Sequence, residues 1–384
     1  MPRPPAIHQI NLSRGLGGGE VYTLFFTRAL VELGCEVTLH VHREAEFWHR
    51  AELPGVRLVP VASGRELLDG LPPSDALIVT QTALFPDCEE ALASRHRLTG
   101  FAHMPLWGRN PRVFDRYHRV FAVSGHVLQS LAAAGCRQVH PEPMYGIAEF
   151  RRIVDPHGDS RIIARPIYVV DRRKFRDRLI GLVQPVVHRL RPPREYVPRP
   201  GVTLGIVSLL SPIKQFPELF RIVAPILAEV PDLHLEVFGF GGYAYVRDMR
   251  RTLAPLGTRV RFWGAQTRPE AIYPRLHWLL SGLPEKEALG LNLLESQACG
   301  TPVLAVRAPP FTETVADGAS GHLYDDPRRD GGRDFRRVLA TAVAQAREGR
   351  RPDPQRATEH LARFAYPAFR DRVARLLTSL SDSG

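Results

Sequence analysis

Two glutamates, Glu287 and Glu295, stand eight positions apart in the run Glu287-Ala-Leu-Gly-Leu-Asn-Leu-Leu-Glu295, which leads into Ser-Gln-Ala-Cys-Gly-Thr-Pro302-Val-Leu. At about 100° per residue, eight helical steps overshoot two full turns by about 80°. Two helical glutamates at that spacing do not share a face, so one of them has to precede the helix. With Glu287 in the loop after a strand and Glu295 two turns along the helix, both carboxylates face a ligand seated over the helix N-terminus. The backbone amides of Gly290, Leu291 and Asn292 then point at that ligand. Unpaired N–H groups at the positive end of a helix favour phosphate. A carboxylate on each side accepts hydrogen bonds from sugar and ribose hydroxyls.

Further candidates lie upstream. Gly15-Leu-Gly17-Gly18-Gly19-Glu20 follows the first apolar run and opens a helical pattern, which suits close approach of backbone to a ligand. The G-x-G-x-x-G spacing is missing and no acidic residue ends the second apolar run, so this is not a dinucleotide fingerprint. His103, in Phe-Ala-His-Met-Pro, ends a predicted strand, the place where open α/β sheets hold ligands. Gly239, in Phe238-Gly-Phe-Gly-Gly242, and Gly264, after Trp263, also follow predicted strands and mark tight turns.

These stretches together resemble the retaining glycosyltransferases of the GT-B fold, family four, over nearly the whole chain apart from residues 151–200. The two glutamates match that family's E-x7-E signature, Ala298-Cys-Gly-Thr-Pro302-Val its A-x-G-x-P-V stretch, and Glu313, Asp317-Gly318 and Gly321-His-Leu its closing pattern. The resemblance implies that Glu287 lies beside the donor sugar and Glu295 on the nucleotide ribose. It places Lys214, one of only three lysines in the chain, on the leaving diphosphate, and Gly239 and Gly264 near the base and phosphates. It sets His103 near the reacting sugar and Gly17, Gly18 and Gly19 on the acceptor side. Departures are Leu209 where the family has an arginine, Pro309-Pro310 where it has two glycines, and Tyr145 and Ala148 where it has Asn and Asp. Arg268 and Arg307 are the candidates to replace the arginine.

The implied activity is transfer, with retention and without metal or other cofactor, of a sugar from a nucleoside diphosphate sugar to a glycan or lipid-linked acceptor, in synthesis of bacterial surface polysaccharide or glycoconjugate. Two rivals follow. The missing arginine fits a catalytically impaired binding subunit of a complex, and the two-domain fold also suits a sugar-nucleotide epimerase.

Such residues need strand ends and helix starts to hold them. Apolar runs at residues 6–12, 36–41, 56–61, 75–80, 98–103 and 120–124 alternate with amphipathic helical stretches, and the rhythm restarts at 202–209, 234–238, 260–263, 277–281 and 303–306. The predicted class is α/β, with two Rossmann-like domains facing a cleft. A chain of 384 residues exceeds the roughly 250 to 300 at which single cores stop growing. The expected division is residues 1–198 for the acceptor side, with 151–198 as a basic insertion, 199–360 for the donor side, and 361–384 as a helix packing back on the first domain. The stretch 358–380 reads as that amphipathic helix.

The formal charge of +11, nearly all arginine, predicts an acidic partner. Residues 171–190, basic and then apolar, read either as a helix packed on its own domain with a solvated arginine-rich face or as an amphipathic element resting on an anionic membrane. No nucleic-acid module accompanies the charge, which excludes nucleic acid as the partner. With no signal segment and no apolar run of about 20 residues, the expected location is the cytoplasm, at the inner face of the membrane for a lipid-linked acceptor. Cys35, Cys88, Cys136 and Cys299 stand far apart and read as buried thiols.

Overall fold

The computed structural model describes residues 6–15, 17–51, 53–147, 161–168, 194–266 and 268–381. The chain divides into two units, Met1–Ile147 with Arg363–Gly384, and Ala148–Ala362. In the first unit β1 (Ala6–Asn11), β2 (Glu36–His42), β3 (Val56–Val61), β4 (Leu77–Thr80), β5 (Arg97–Ala102) and β6 (Arg119–Ala122) form one parallel sheet in the order β3-β2-β1-β4-β5-β6. In the second, β7 (Val202–Val207), β8 (Leu233–Phe238), β9 (Val260–Gly264), β10 (Trp278–Leu280), β11 (Val303–Val306) and β12 (Gly321–Tyr324) follow the order β12-β11-β10-β7-β8-β9. Counted within its own unit, each sheet winds 3-2-1-4-5-6. Both are Rossmann-like α/β sheets, and in each the winding reverses between the first and fourth strands, opening a crevice at their carboxyl ends.

The apolar runs become strands because a parallel sheet covered by helices on both faces must be apolar on both. Val202, Leu204 and Ile206 of β7 are fully buried, and so are Ile78 and Val79 of β4. The covering helices follow the 3.6-residue period: in Phe216–Ala228, Phe216, Leu219, Phe220, Val223 and Leu227 are all buried. One strand, β12, was not among the expected apolar runs. It has four residues, one of them His322, at a sheet edge, too short a pattern to stand out.

Two boundaries differ from the expected ones. The first unit ends at Ile147 and not at residue 198, because the described parts of the insertion pair with the second sheet. Arg165 N–H donates to the Trp263 carbonyl at 2.8 Å and Gly241 N–H to that of Ile167 at 3.0 Å, while Tyr196 N–H donates to Ile162 at 2.8 Å within the insertion itself. Arg199 then anchors the run into β7 by a 2.7 Å ion pair with Glu236, a buried carboxylate that also accepts from Trp263 Nε1 at 2.7 Å. At the other end, 358–380 is not one helix. It breaks at residues 363–365 between Pro354–Ala362 and Tyr366–Ser381. Pro367 has no N–H to give and its ring clashes with a preceding helical turn, so it fits the first turn of the second helix and the first helix cannot run through it. The last helix groups with the first unit, where the Phe369 ring meets Tyr22 edge-on at 5.5 Å.

The expected membrane element at 171–190 lies outside the described residues. Among the described residues no helix is long and apolar enough to cross a membrane. Cys35, Cys88 and Cys299 are buried thiols; Cys136 is partly exposed, contrary to expectation, because it follows the exposed end of a helix at Gly135.

Candidate active site

In the second unit the crevice between β7 and β10 is lined by the loop from Ser208 to Gln215 and the loop from Ser281 to Gly290. Their backbones are held in contact. Leu283 N–H donates to the Lys214 carbonyl at 3.1 Å, and a Cβ on Gly282 would lie 2.0 Å from that same oxygen, so only glycine lets the loops meet. Lys214 Nζ, on one loop, then sits 2.6 Å from Glu287 Oε1 on the other. The ammonium also reaches Asn292 Oδ1 at 3.4 Å. Asn292 Nδ2 donates to the Val207 carbonyl at 3.2 Å, which turns the amide oxygen toward the lysine.

Glu287 precedes and Glu295 lies within the helix Leu291–Ala298, as the eight-residue spacing demands. Gly290 caps this helix in the left-handed region, φ 82°, which glycine alone adopts without strain, and a side chain there would also meet the Phe311 ring at 3.2 Å. The amides of Leu291 and Asn292 are therefore free of intrahelical partners at the crevice. Glu295 Oε2 accepts from Tyr273 Oη at 2.8 Å. Burial pushes its carboxyl above the usual carboxylate range, against the opposing pull of the Tyr273 hydroxyl and the Lys214 charge, while Glu270 pushes it further up. Lys214, Glu287, Asn292, Gly290 and Glu295 thus form one constellation: a lysine set in the field of two carboxylates beside free helix amides.

Gly239 and Gly264 meet each other rather than this constellation, through a 2.9 Å bond from Gly239 N–H to the Gly264 carbonyl. A Cβ on Gly239 would lie 1.9 Å from the Ser208 carbonyl and one on Gly264 2.3 Å from that of Arg165, so close backbone packing accounts for both. Leu209 is 51% exposed beside partly exposed Ile213 and Phe240, an apolar rim on the β7 and β8 loops where the family resemblance puts an arginine. Neither candidate replacement is spare. Arg307 pairs with Asp317 at 2.8 Å and donates to the Leu323 carbonyl at 2.9 Å, and Arg268 pairs with Glu270 at 3.1 Å.

The crevice of the first unit is built differently. Gly17 caps the 15-residue helix Gly18–Glu32, and its N–H donates to Glu20 Oε2 at 2.8 Å, so the glutamate of the glycine loop serves the helix start. Gly18 and Gly19 open that helix, with nothing within 4 Å of where a Gly19 Cβ would stand. His103 follows β5, its Nε2 2.9 Å from Gln81 Oε1, and burial pushes its imidazolium down to about 4. Among the described residues no group of three His, Cys, Asp or Glu could hold a metal ion.

Tyr273, Gly282 and Gln81 are the participants that motif reasoning missed. Tyr273 belongs to a short 3-10 turn with no pattern to mark it. Gln81 carried a signal, a polar side chain closing an apolar run, and such groups are buried only with partners.

Comparison with known proteins bears on the family and the fold. Residues 199–339 match the family model "Glycosyl transferases group 1". The chain is 28% identical over 420 aligned residues, 94% of this chain and 90% of the relative, to D-inositol 3-phosphate glycosyltransferase of Thermobispora bispora. It is 31% identical over 130 residues, 31% of this chain and 33% of the other, to the GDP-mannose-dependent alpha-(1-6)-phosphatidylinositol monomannoside mannosyltransferase of Mycolicibacterium smegmatis. The structure of Anabaena HepE in complex with UDP and glucose superimposes with a TM-score of 0.66 over 98% of this chain and all of that one, at 17% identity, a likeness of fold.

Proposed function

The chain belongs to the glycosyltransferases of the GT-B fold, family-four type, and from that premise we propose that its second unit binds a nucleoside diphosphate sugar and its first unit serves the acceptor. The observation that carries the reading is the Lys214–Glu287–Asn292 cluster at the carboxyl ends of β7 and β10, beside the N-terminus of Leu291–Ala298. In the reaction, the bond from the sugar to the diphosphate breaks and negative charge grows on the departing oxygen. Lys214 and the Leu291 and Asn292 amides stabilise that charge, a role in which one preorganised donor contributes about 3 kcal/mol. Glu295 accepts from ribose hydroxyls, and Glu287, freed from Lys214 as the phosphate takes its place, accepts from the sugar. Attack by the hydroxyl of a glycan or lipid-linked acceptor, with retention and with its proton passing to the departing diphosphate oxygen, completes the proposal. It calls on protein cations and helix amides and needs no metal.

A donor screen tests it: thermal shift and release of free nucleoside diphosphate with UDP-, GDP-, ADP- and dTDP-sugars. Stabilisation by one nucleotide class that is lost in Glu295→Ala and Lys214→Ala is the expected result, and no response to any of them would sink the donor site. The exposed Leu209, with Arg268 and Arg307 both engaged elsewhere, favours one second reading, a binding subunit that holds nucleotide without turnover. Nucleotide binding with no transfer to any acceptor pool would select it.

A further inference from the structure

A file of hydrogen-bonding side chains, none of them charged, crosses the interior of the first unit. Gln9 Nε2, on β1, donates to Thr27 Oγ1 on the helix Gly18–Glu32 at 2.8 Å. Gln81 Nε2, just past β4, donates to Gln9 Oε1 at 3.3 Å, and Gln81 Oε1 lies 2.9 Å from His103 Nε2. Gln9, Thr27 and Gln81 are all buried. An amide has one accepting and one donating end, so orienting one member of the file orients the next. With Gln9 Nε2 spent on Thr27, its oxygen is left for Gln81 Nε2. The Gln81 oxygen is then left for His103, and an amide oxygen only accepts.

The polarity at the Thr27 end recurs one helical turn earlier. There Asn11 Nδ2, also from β1, donates to Thr23 Oγ1 at 2.9 Å, and Thr23 passes its hydroxyl hydrogen to the Gly19 carbonyl at 2.9 Å. A helical threonine that satisfies its own hydrogen on the preceding turn is an acceptor for what faces it.

We propose that Gln81 and Gln9 are positioning residues that hold His103 in the Nε2–H tautomer, so that Nδ1 presents a lone pair to a hydroxyl of the bound sugar. The proposal rests on the reading that His103 belongs to the transfer site. Glutamine suits the task where aspartate or glutamate would not: a carboxylate on Nε2 would stabilise the imidazolium, which has no lone pair to accept with. The surroundings agree, since the rings against His103 are Tyr22 at 5.1 Å and Phe101 at 5.9 Å, and the charge facing Tyr22 is Arg372 of the last helix, with no carboxylate among these groups. The ligand class follows: His103 recognises a hydroxyl donor and is not a cation for the leaving diphosphate.

The test is 15N–1H correlation NMR of the full chain labelled at histidine, with the His103 signals assigned by their loss in His103→Gln. The expected spectrum shows Nε2 protonated and Nδ1 bare between pH 6 and 8. Gln81→Glu, close to isosteric, should raise the His103 titration midpoint by about one unit or more, and in a transfer assay kcat/KM should fall by about tenfold at pH values below the new midpoint. An Nδ1–H tautomer in the unaltered protein, or a His103 midpoint unmoved by both Gln81→Glu and Gln9→Glu, would overturn the proposal. The expected tautomer in a protein that transfers no sugar would instead overturn the transfer reading, because the spectrum of the free protein is independent of turnover.

Discussion

The two units share one strand order and place their crevices at equivalent points, yet they furnish them with opposite chemistry. Between β7 and β10 stands a lysine against two glutamates, beside free helix amides. Around β1, β4 and β5 stand two glutamines, threonines and a histidine that burial keeps neutral. Topology settles where a ligand is held, and the side chains on the connecting loops settle what it is. A lysine between carboxylates suits a donor whose leaving group gains charge, and a file of uncharged side chains suits hydroxyls.

The sharpest way to break this contrast is Lys214→Met. Turnover, followed by nucleoside diphosphate release, should fall by about 100- to 1,000-fold. The same change leaves the Glu287 carboxylate buried without its partner, and a denaturant titration should show a loss of about 3 kcal/mol or more. Unchanged turnover would remove the charge contrast altogether.

Glu295→Gln should move stability and binding in opposite directions. Burial raises this carboxyl's pKa, so above that raised value its ionised form costs the folded state free energy, and an uncharged amide removes the cost. The melting temperature should rise while nucleotide affinity, read by titration calorimetry, falls by about tenfold or more, as loss of a charge-assisted hydrogen bond implies. A rise in both would mean that Glu295 does not touch the ligand.

The neutral crevice should reveal itself on acidification. His103 there, and outside the crevice His40 on β2, both pushed by burial to about 4, bind fewer protons folded than unfolded at pH values between there and the ordinary histidine value of about 6.5. The stability they contribute is full above that window and is lost as pH falls through it. His103→Gln should flatten the decline in denaturant midpoint between about pH 6.5 and 4, and an equally steep decline would mean the histidine is charged already.

The smallest expected effect is a gain. Leu209→Arg adds a cation at an exposed position on the β7 loop, where it should leave the melting temperature within a degree or two and raise donor turnover by up to about tenfold. No gain would mean that the phosphate site is complete without it.

Much of this molecule was legible in its residues. Eleven of the strands coincide with apolar runs, since a buried parallel strand has to be apolar throughout, and the spacing of Glu287 and Glu295 sufficed to put one before the helix and one within it. The periodicity did not show that 358–380 breaks in two, because a helical face continues in register across a short interruption. The sequence placed the insertion with the first unit, whereas its described parts group with the second, because its 161–168 strap is held by backbone hydrogen bonds to Trp263 and Gly241, which carry no side-chain signature.

What the sequence by itself determined was therefore local: which stretches are apolar, which loops are glycine-rich, and which ionisable groups stand at a fixed spacing across the start of one helix. The tertiary structure alone decided the pairings across long separations. It set Lys214 on Glu287, Tyr273 on Glu295, and Gln9 on Gln81 and so on His103, and it engaged Arg307 with Asp317. Hydrogen bonds and ion pairs act over about 3 Å, and residues 72 positions apart come that close only when parallel strands lay their ends side by side.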